Sequence, residues 1–520
     1  MSRDSKLIVF VAVLASLLEI IDTSIVNVAL PTMMGNLGAT LEDISMVVTG
    51  YAIANAIVLP VSAWLSERLG RRQYYLGCIL AFIATSVACG LAPNLTALII
   101  FRILQGLAGG ALLPTSQTLI YEQFPREKAG MAGAIFGMSV MVGPALGPVV
   151  GGYLTDTLGW RSIFNINLPL GLLALFIGGL VIHNPSRQME KKGKHPPLDW
   201  LGLALLVLGV GCLQFVLERG EADDWFSSTT IVINTIMFVA CIPGFIWWQL
   251  KTEHPIINVR LIKESPVQNG VMLMGILGFF LYSVVFLLPV FLEQAYHYDA
   301  TQIGEMFIPG SLLTMAMMPL IGRMMQAGVS TKLMILVGFL GIELCLHIMT
   351  GFDSQTSKSD VLWALYARGF ALSFLFVPIN SSILSEYTGV NLAQVSGLLN
   401  LFRQIGGSMG IAMVATLLNM RSHQNYADLS MKVTALHQNT MLFLHQMQAG
   451  MAHKFQSEVG MFDALNSPSL KVLYYKVQSQ VFMMSFLQLI FTLMIIVAVA
   501  VIPLWRLKLR SGPVAVVDAH

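Results

Sequence analysis

Charged residues are scarce in this sequence. The chain of 520 residues carries 30 Lys and Arg and 28 Asp and Glu, so only 11% of its residues are charged. A soluble protein of this length needs roughly a quarter of its residues charged to cover its surface. Hydrophobic residues make up 55% of the chain and its mean hydropathy is +0.71. We therefore expect a polytopic membrane protein.

Other chemical signatures are also lacking. The five cysteines are scattered through apolar runs without the spacing of a metal site or a disulfide framework, so we interpret them as core residues. No GxxxxGK[ST] phosphate-binding stretch and no HExxH motif occurs. These absences disfavour an ATP-driven pump and a membrane enzyme. We expect no cofactor, no metal and no nucleic-acid partner.

Long apolar runs, in contrast, are abundant. A helix needs about 20 mostly apolar residues to cross a bilayer, and fourteen segments meet this requirement. They cover residues 7–31, 45–66, 73–92, 97–121, 131–155, 162–182, 198–219, 227–250, 266–292, 302–321, 333–352, 361–386, 393–419 and 479–505. The first has a basic start but no small-residue cleavage site, so we interpret it as a retained span.

The basic residues lie mostly on one side of these spans. Loops on the side of the N-terminus carry 19 Lys and Arg, against 3 in the short loops of the opposite side. Because cytoplasmic loops are enriched in basic residues, both termini are predicted to be cytoplasmic. The long segment 420–478 then lies outside, where amphipathic helices are predicted. Two interpretations stay open for it: a cap lying on the membrane, or a docking surface for an extracytoplasmic partner.

An internal repeat divides the chain. The stretch QGLAGGALLPTSQTLIYEQF, which starts at Gln105, resembles RGFALSFLFVPINSSILSEY, which starts at Arg368. Two related six-helix bundles in the same orientation are a transporter design, with the substrate site between them near the midplane. The predicted units are an N-terminal bundle over 1–182, a linker with two extra helices over 183–265, a C-terminal bundle over 266–505 and a tail over 506–520.

The loop after the second span is a candidate for conformational gating. It reads SERLGRR and contains Glu67, Arg68, Gly70, Arg71 and Arg72. A short turn so rich in charge can pair with helix ends of the neighbouring bundle and hold one conformation. The alternative is topology alone, since cytoplasmic loops are basic in any case.

The fifth span is a second candidate for gating. It reads GMSVMVGPALGPVVGGYL, and its Gly143-Pro144 and Gly147-Pro148 steps are four residues apart, on one helix face. Small residues at this spacing let another helix approach, and each proline removes a backbone donor and favours a kink. A hinge between the two halves is one interpretation, and close packing without a hinge is the other.

Together these motifs resemble the major facilitator superfamily, and in particular its fourteen-helix drug:proton antiporter branch of EmrB/QacA-like multidrug exporters. The resemblance rests on IDTSIVNVALP in span 1, SERLGRR after span 2, RILQG in span 4, GPALGPVVGG in span 5 and WRSIFNINLPLG at 160–171. It implies an all-α major facilitator fold with two six-helix bundles plus two extra central helices, fourteen transmembrane helices in all.

The resemblance also implies a function. We expect a proton-coupled antiporter that exports hydrophobic or amphipathic toxic compounds across a bacterial inner membrane, with small molecules, protons and the lipid bilayer as its partners. It further implies a periplasmic membrane-fusion adaptor and an outer-membrane channel. A dedicated exporter of an endogenous lipid, siderophore or metabolite stays open as the alternative, with a channel or membrane sensor as a more distant one.

Span 1 carries two acidic residues inside its apolar run. At 100° per residue, Glu19 and Asp22 share one arc of the helix with Ser16, Thr23 and Asn27. Arg102 lies inside span 4 at a similar depth, and an intramembrane charge costs at least about 2.5–3.5 kcal/mol unless it is paired or wetted. A pair between Asp22 and Arg102 is sterically possible if the two helices face each other. Burial favours the neutral acid and the arginine favours the carboxylate, a balance that proton coupling requires.

The resemblance favours Asp22 as the coupling acid, because Asp22 lies within the span-1 motif. For Glu19, substrate recognition, proton carriage and a structural role stay open. Thr23 and Asn27 are assigned to the substrate cavity with it. Other intramembrane polar residues either line this cavity or join helices by hydrogen bonds: Asn55, Gln117, Asn380, Asn400, Arg403 and Gln404. Glu343 and His347 are expected on a peripheral span. Arg368 departs from its repeat partner Gln105 and changes the charge balance of the cavity.

Overall fold

The computed structural model describes residues 2–184, 199–253, 255–353, 355–433, 438–454 and 468–501. These residues form α-helices and short 3₁₀ turns, without a β-strand among them, which confirms the all-α prediction. The helices of the first half are α1 Arg3–Leu37, α2 Leu41–Leu69, α3 Arg71–Gly90, α4 Leu95–Gly109, α5 Leu112–Glu122, α6 Ala129–Leu158, α7 Ser162–Asn165 and α8 Asn167–Val181. Then follow α9 Trp200–Arg219, α10 Thr229–Lys251, α11 Ser265–Tyr296, α12 Ala300–Gln326, α13 Thr331–Thr350, α14 Lys358–Leu384, α15 Gly389–Lys432, α16 Gln438–Lys454 and α17 Pro468–Val501.

Thirteen helical segments of this described part are long and apolar enough to cross a membrane. In this set α4 and α5 count as one segment, and so do α7 and α8. Helix α6, a continuous helix of 30 residues, lies where the fifth span was predicted. The spans predicted from hydropathy therefore all coincide with helices, because only a helix satisfies its own backbone groups inside a bilayer.

Two predicted spans are each divided in two. Span 4 breaks between α4 and α5 at Gly110 and Ala111, and span 6 breaks between α7 and α8 at Ile166. Pro114 and Pro169 each lie at the third position of the helix that follows the break. A proline cannot donate to the carbonyl four residues earlier, and it is tolerated within the first turn of a helix. Sequence periodicity predicted one helix in each place and missed the breaks.

Helix α6 lies between the two halves of the molecule. It packs against α1 of the first half and against α12 and α14 of the second. A second junction is formed by α15, which packs against α11 within its own half and against α2 and α5 across the junction. The main hydrophobic core is continuous across both junctions. Each half thus forms a bundle of its own, and α6 and α15 provide the main contacts between the two bundles.

Close backbone contacts join the two halves toward one end of the bundle, and near the opposite end Gly152 of α6 faces Thr301 of α12. We call the end at which α1 begins the near end and the opposite end the far end. At the near end, Gly130 of α6 lies against the backbone of Gly322 in α12, and Gly397 of α15 lies against the carbonyl of Leu59 in α2. Glycine is required at these places because a Cβ would meet backbone atoms of the facing helix.

The extra pair α9–α10 is anchored to this junction. Helix α9 packs on α2 of the first half and on α15 of the second. Gln214 donates from Nε2 to Ser408 Oγ at 2.6 Å, and Trp225 donates from Nε1 to Thr416 Oγ1 at 3.0 Å. The linker of residues 185–198, with its basic residues, lies outside the described residues.

The far-end segment differs from the prediction. The thirteenth span was predicted to end at 419, but α15 is one helix of 44 residues that continues to Lys432. Asn425 of this extension donates to Ser485 Oγ of α17 at 2.9 Å, so the extension is packed. Within the segment 420–478, α16 forms a further helix, and residues 434–437 and 455–467 lie outside the described residues. The predicted tail 506–520 lies outside them too.

Candidate functional site

Asp22 is the centre of a buried polar cluster in the first half. Its side chain is 0% exposed. Oδ2 accepts from Arg102 Nη1 at 2.5 Å, and Oδ1 accepts from Gln105 Nε2 and from Asn167 Nδ2, both at 2.8 Å. The carboxylate is therefore held by donors from three other points of the chain, on α4 and α8. The sequence left the pairing with Arg102 as a steric possibility, and the structure places the two charges in contact.

Arg102 is equally enclosed. It is 1% exposed, and its guanidinium lies over the ring of Tyr51 with 4.1 Å to the centroid. Nη1 also donates to Gln105 Oε1 at 2.8 Å, and Nε donates to the carbonyl of Val47 at 3.3 Å. A buried arginine in a membrane requires such neighbours, because an ion without them loses its hydration without compensation. The arginine faces the bundle interior and does not extend to the interface.

Glu19 is close to Asp22 in sequence but has different neighbours. Oε1 accepts from Asn55 Nδ2 at 2.8 Å and Oε2 accepts from the backbone N–H of Leu113 at 3.0 Å. These partners lie on α2 and α5, the two helices of the first half against which α15 of the second half packs. Glu19 is thus close to the face where the two halves meet, whereas Asp22 is enclosed within one half.

The polar arc of span 1 accordingly divides in two. Ser16, Glu19 and Asp22 are buried against helices of the first half. Thr23 and Asn27 are exposed, and each bonds the carbonyl of the residue four positions earlier on its own helix, at 2.9 and 3.4 Å. Periodicity placed all five on one arc, but it could not tell which neighbour each residue would face.

A hydrogen-bonded network joins the two halves toward the near end of the bundle. Gln117 of α5 donates from Nε2 to Asn380 Oδ1 at 2.8 Å. Its Oε1 accepts from Ser396 Oγ at 2.6 Å and from Asn400 Nδ2 at 2.7 Å. All four side chains are buried. Tyr121, one turn along α5, shares a hydrogen bond of 3.2 Å with Ser381. The network thus contacts both α14 and α15 of the second half.

Arg403 and Gln404 lie on α15 beside this network. Arg403 donates from Nη2 to Asn400 Oδ1 at 3.4 Å and from Nη1 to the Tyr282 hydroxyl at 3.3 Å, while its buried Nε has no hydrogen-bond partner. Gln404 donates to the backbone carbonyl of Ala52 on α2 at 3.1 Å. Of the residues assigned to the cavity, the structure therefore brings these five to the junction of the halves: Gln117, Asn380, Asn400, Arg403 and Gln404. Their role in binding substrate stays a prediction.

The charged loop after α2 is built on Gly70, whose φ of +87° strongly favours glycine. Arg71 pairs with Glu122 at the end of α5. The backbone N–H of Arg72 donates to Asn184 Oδ1 at 2.8 Å, and its Nη2 donates to the carbonyl of Gly179 at 2.7 Å. The Arg68 guanidinium lies 5.5 Å from the ring centroid of Trp64, and Glu67 lies beside it at the end of α2. These contacts attach the loop to its own bundle, and its gating role stays a prediction.

The glycines of α6 face two different neighbours. A Cβ on Gly143, Gly147 or Gly151 would meet Ile20, Ser24 or Ile25 of α1. Glycines nearer the start of α6 face the second half instead, with Gly133 against Ser381 and Gly137 against Met318. The helix remains continuous through Pro144 and Pro148. One face of α6 therefore packs against α1, and the other lies on the opposite bundle.

Sequence reasoning left several cluster residues out of the predicted site. Asn167 bonds both Asp22 and Ser86, at 2.8 and 2.9 Å, and Ser396 bonds Gln117. Asn167 lies in WRSIFNINLPLG, the stretch that carried part of the resemblance, and a polar residue inside that apolar run was the available signal. Ser396 had no such signal. Serine is common in membrane helices where it only packs against a neighbouring helix, so its presence alone does not indicate a functional contact.

The fold and the buried charges define a polytopic transporter built from two six-helix bundles. The family model described as Major Facilitator Superfamily matches residues 12–411. The chain is 33% identical over 436 residues to the multidrug export protein EmrB of Haemophilus influenzae, which covers 84% of each chain. It is 33% identical over 419 residues to the fatty acid resistance protein FarB of Neisseria gonorrhoeae, covering 80% of this chain and 82% of that one. The chain belongs to the major facilitator superfamily.

A solved structure supports the same fold. The proton:xylose symporter XylE aligns with a TM-score of 0.56 over 93% of this chain and 94% of its own, at 15% sequence identity. At this identity the similarity concerns the fold alone. Membership of the superfamily makes this chain a multi-pass membrane protein and a transporter, as the sequence predicted.

Proposed function

We propose that this chain exports hydrophobic or amphipathic toxic compounds in exchange for protons by alternating access. The observation that carries the proposal is the fully buried pair of Asp22 and Arg102 inside a twin-bundle fold. Breaking a buried pair by neutralising one partner costs about 3–5 kcal/mol. Proton binding to Asp22 would therefore destabilise its cluster and favour a different packing of α1 against α4 and α8. A proton moving inward supplies about 2.3 kcal/mol per 100 mV of membrane potential for this step.

The substrate class follows from the relatives and from the junction of the halves. EmrB is named for multidrug export and FarB for fatty acid resistance. In this chain the junction combines polar groups, such as Gln117 and Asn400, with apolar side chains such as Phe136 and Phe376, whose ring centroids are 6.1 Å apart. Such mixed walls suit compounds with an apolar body and a polar group. Both termini are proposed to be cytoplasmic, in a bacterial inner membrane.

Transport in proteoliposomes tests this proposal. With an imposed pH gradient, the purified protein is expected to accumulate a lipophilic cation such as tetraphenylphosphonium on the acidic side, and a protonophore should abolish the accumulation. Cationic, neutral and weakly acidic compounds should be compared in the same vesicles. Transport that is indifferent to the pH gradient would rule out proton coupling, and transport of a single metabolite alone would favour the dedicated exporter.

We also propose that the segment 420–478 contacts a periplasmic adaptor, which in turn reaches an outer-membrane channel. The support is the extension of α15 beyond its predicted span and the exposed apolar residues Met441 and Leu442 of α16, which are 38% and 50% exposed. Photocrosslinkers placed along α16 in cells should capture a membrane-fusion protein. If crosslinkers on this helix capture only lipid, the segment is a membrane cap.

A further inference from the structure

Arg368 is the residue at which the second half departs most from the first. In the internal repeat it corresponds to Gln105, which in the first half bonds Asp22. It is the eleventh residue of α14, about 15 Å from the start of that helix at 1.5 Å per residue. This depth is close to the middle of a hydrocarbon layer of about 30 Å. A permanent positive charge there requires compensation.

The described residues provide no carboxylate for Arg368. Its Nε is buried without a hydrogen-bond partner among the described residues. The ring of Phe307 lies 5.4 Å from its guanidinium carbon, which is a weak cation–π contact. Arg102 in the first half shows what a compensated arginine requires, namely a carboxylate, a glutamine and a backbone carbonyl.

Arg368 lines a narrow cleft at the junction of the two halves. In this conformation the cleft has room for about one water molecule. Met141 of α6 forms its wall in the first half. Its other walls come from α12 and α14: Gly310, Ser311, Thr314, Leu365 and Leu372. The cleft thus combines one cation and two hydroxyl groups with methionine and leucine side chains.

Arg403 is a second arginine whose hydrogen bonding is incomplete. It also lies in the second half, its Nε is buried without a hydrogen-bond partner, and its two hydrogen bonds are long, at 3.3 and 3.4 Å. The second half therefore carries two buried arginine Nε groups, on Arg368 and Arg403, without hydrogen-bond partners among the described residues.

We propose that Arg368 binds the anionic group of an amphipathic substrate, a carboxylate or sulfonate, when the cleft widens as α6 separates from α12 and α14. The apolar part of the substrate then packs against Met141, Leu365 and Leu372. Guanidinium groups suit such anions because their donors match two oxygens at once. Ser311 provides a hydroxyl on the same wall. This inference rests on the proposed export function and names a substrate class for it: amphipathic anions, in addition to compounds without a negative charge.

The test compares two probes in proteoliposomes with an imposed pH gradient. The anion is anilinonaphthalene sulfonate, which stays charged and cannot cross the bilayer as a neutral acid, and the cation is tetraphenylphosphonium. For Arg368→Gln, transport of the anion is expected to fall about tenfold or more, as for loss of a hydrogen bond to a charged group. Transport of the cation should stay within about twofold. Arg368→Lys should keep part of the anion transport because it keeps the charge.

Arg421→Gln is the matched control, since it removes the same charge from an exposed site of the second half that bonds Gln424. If the wild-type protein moves neither probe, the proposed export function fails. If it moves the cation but not the anion, export stands and this inference is wrong. Equal loss of both probes in Arg368→Gln, together with loss of the cation in Arg368→Lys, would also overturn it, because the arginine would then be structural.

A lipid headgroup presents the same anionic chemistry as a substrate. The assays should therefore be repeated in vesicles of phosphatidylcholine alone and of phosphatidylcholine with phosphatidylglycerol. The proposal expects the selective loss of anion transport in both. If Arg368→Gln differs from the wild-type protein only in vesicles with phosphatidylglycerol, and for both probes, then the cleft binds lipid and the substrate assignment is wrong.

Discussion

Asp22→Asn is expected to abolish proton-coupled export, to less than about one hundredth of the wild-type rate. The substitution removes the one group of the cluster that can bind and release a proton, while Asn keeps the size of the side chain. Its carbonyl oxygen can still accept from Gln105 or Asn167, so the local shape is preserved. The measurement is substrate-induced proton movement in proteoliposomes, read by a pH-sensitive dye inside the vesicles.

The same change leaves Arg102 without its counter-ion, so a loss of about 3–5 kcal/mol in stability is also expected. The double variant Asp22→Asn/Arg102→Gln separates the two effects. Replacing both charges should restore much of the thermal stability, measured in detergent, but none of the proton movement. Asp156→Asn, at an exposed position of α6, is the matched control and should behave as the wild-type protein. Proton movement at the wild-type rate in Asp22→Asn would refute Asp22 as the coupling group.

A disulfide across the near end should stop transport completely and reversibly. A Cβ at residue 133 of α6 would contact Ser381 Oγ of α14, so Gly133→Cys and Ser381→Cys place two thiols within bonding reach. Alternating access requires the halves to separate at each end in turn. We expect oxidation to reduce transport at least tenfold and a reductant to restore it, with the extent of crosslinking followed on gels.

This experiment needs a background without the five native cysteines, all of which are free thiols in the structure. Each single-cysteine variant, treated with the same oxidant, is the control for damage unrelated to the crosslink. Full transport in a completely crosslinked sample would mean that α6 and α14 stay together throughout the cycle. The near end would then be a permanent contact.

The sequence predicted the fold because a bilayer leaves few options. Apolar runs of sufficient length must become helices, and the repeat of glycines and prolines implied two related bundles. The pairing of Asp22 with Arg102 could be identified as a possibility for the same reason, since each charge needs a partner inside a membrane. These inferences depend only on composition, on the length of the apolar runs and on the position of each charge within them. All three can be read directly from the sequence.

Other features depend on which helices are neighbours. Glu19 and Asp22 have separate partners because α2 and α5 supply donors to Glu19, whereas α4 and α8 supply donors to Asp22. Asn167 and Ser396 complete their networks from distant positions in the sequence, so one chain without its relatives could not connect them. The breaks at Gly110 and Ile166 had a local signal in the prolines that follow, but hydropathy alone does not register it.

The length of α15 has a mechanical consequence. With 44 residues at 1.5 Å each, it is a rod of about 66 Å. It touches the first half at Gly397, about 12 Å from its start, and its other end lies about 52 Å beyond that contact. A tilt of about 10° around Gly397 would therefore displace the end at Lys432 by roughly 9 Å. The helix acts as a lever arm that amplifies a small rearrangement at the near end into a large displacement at the opposite surface.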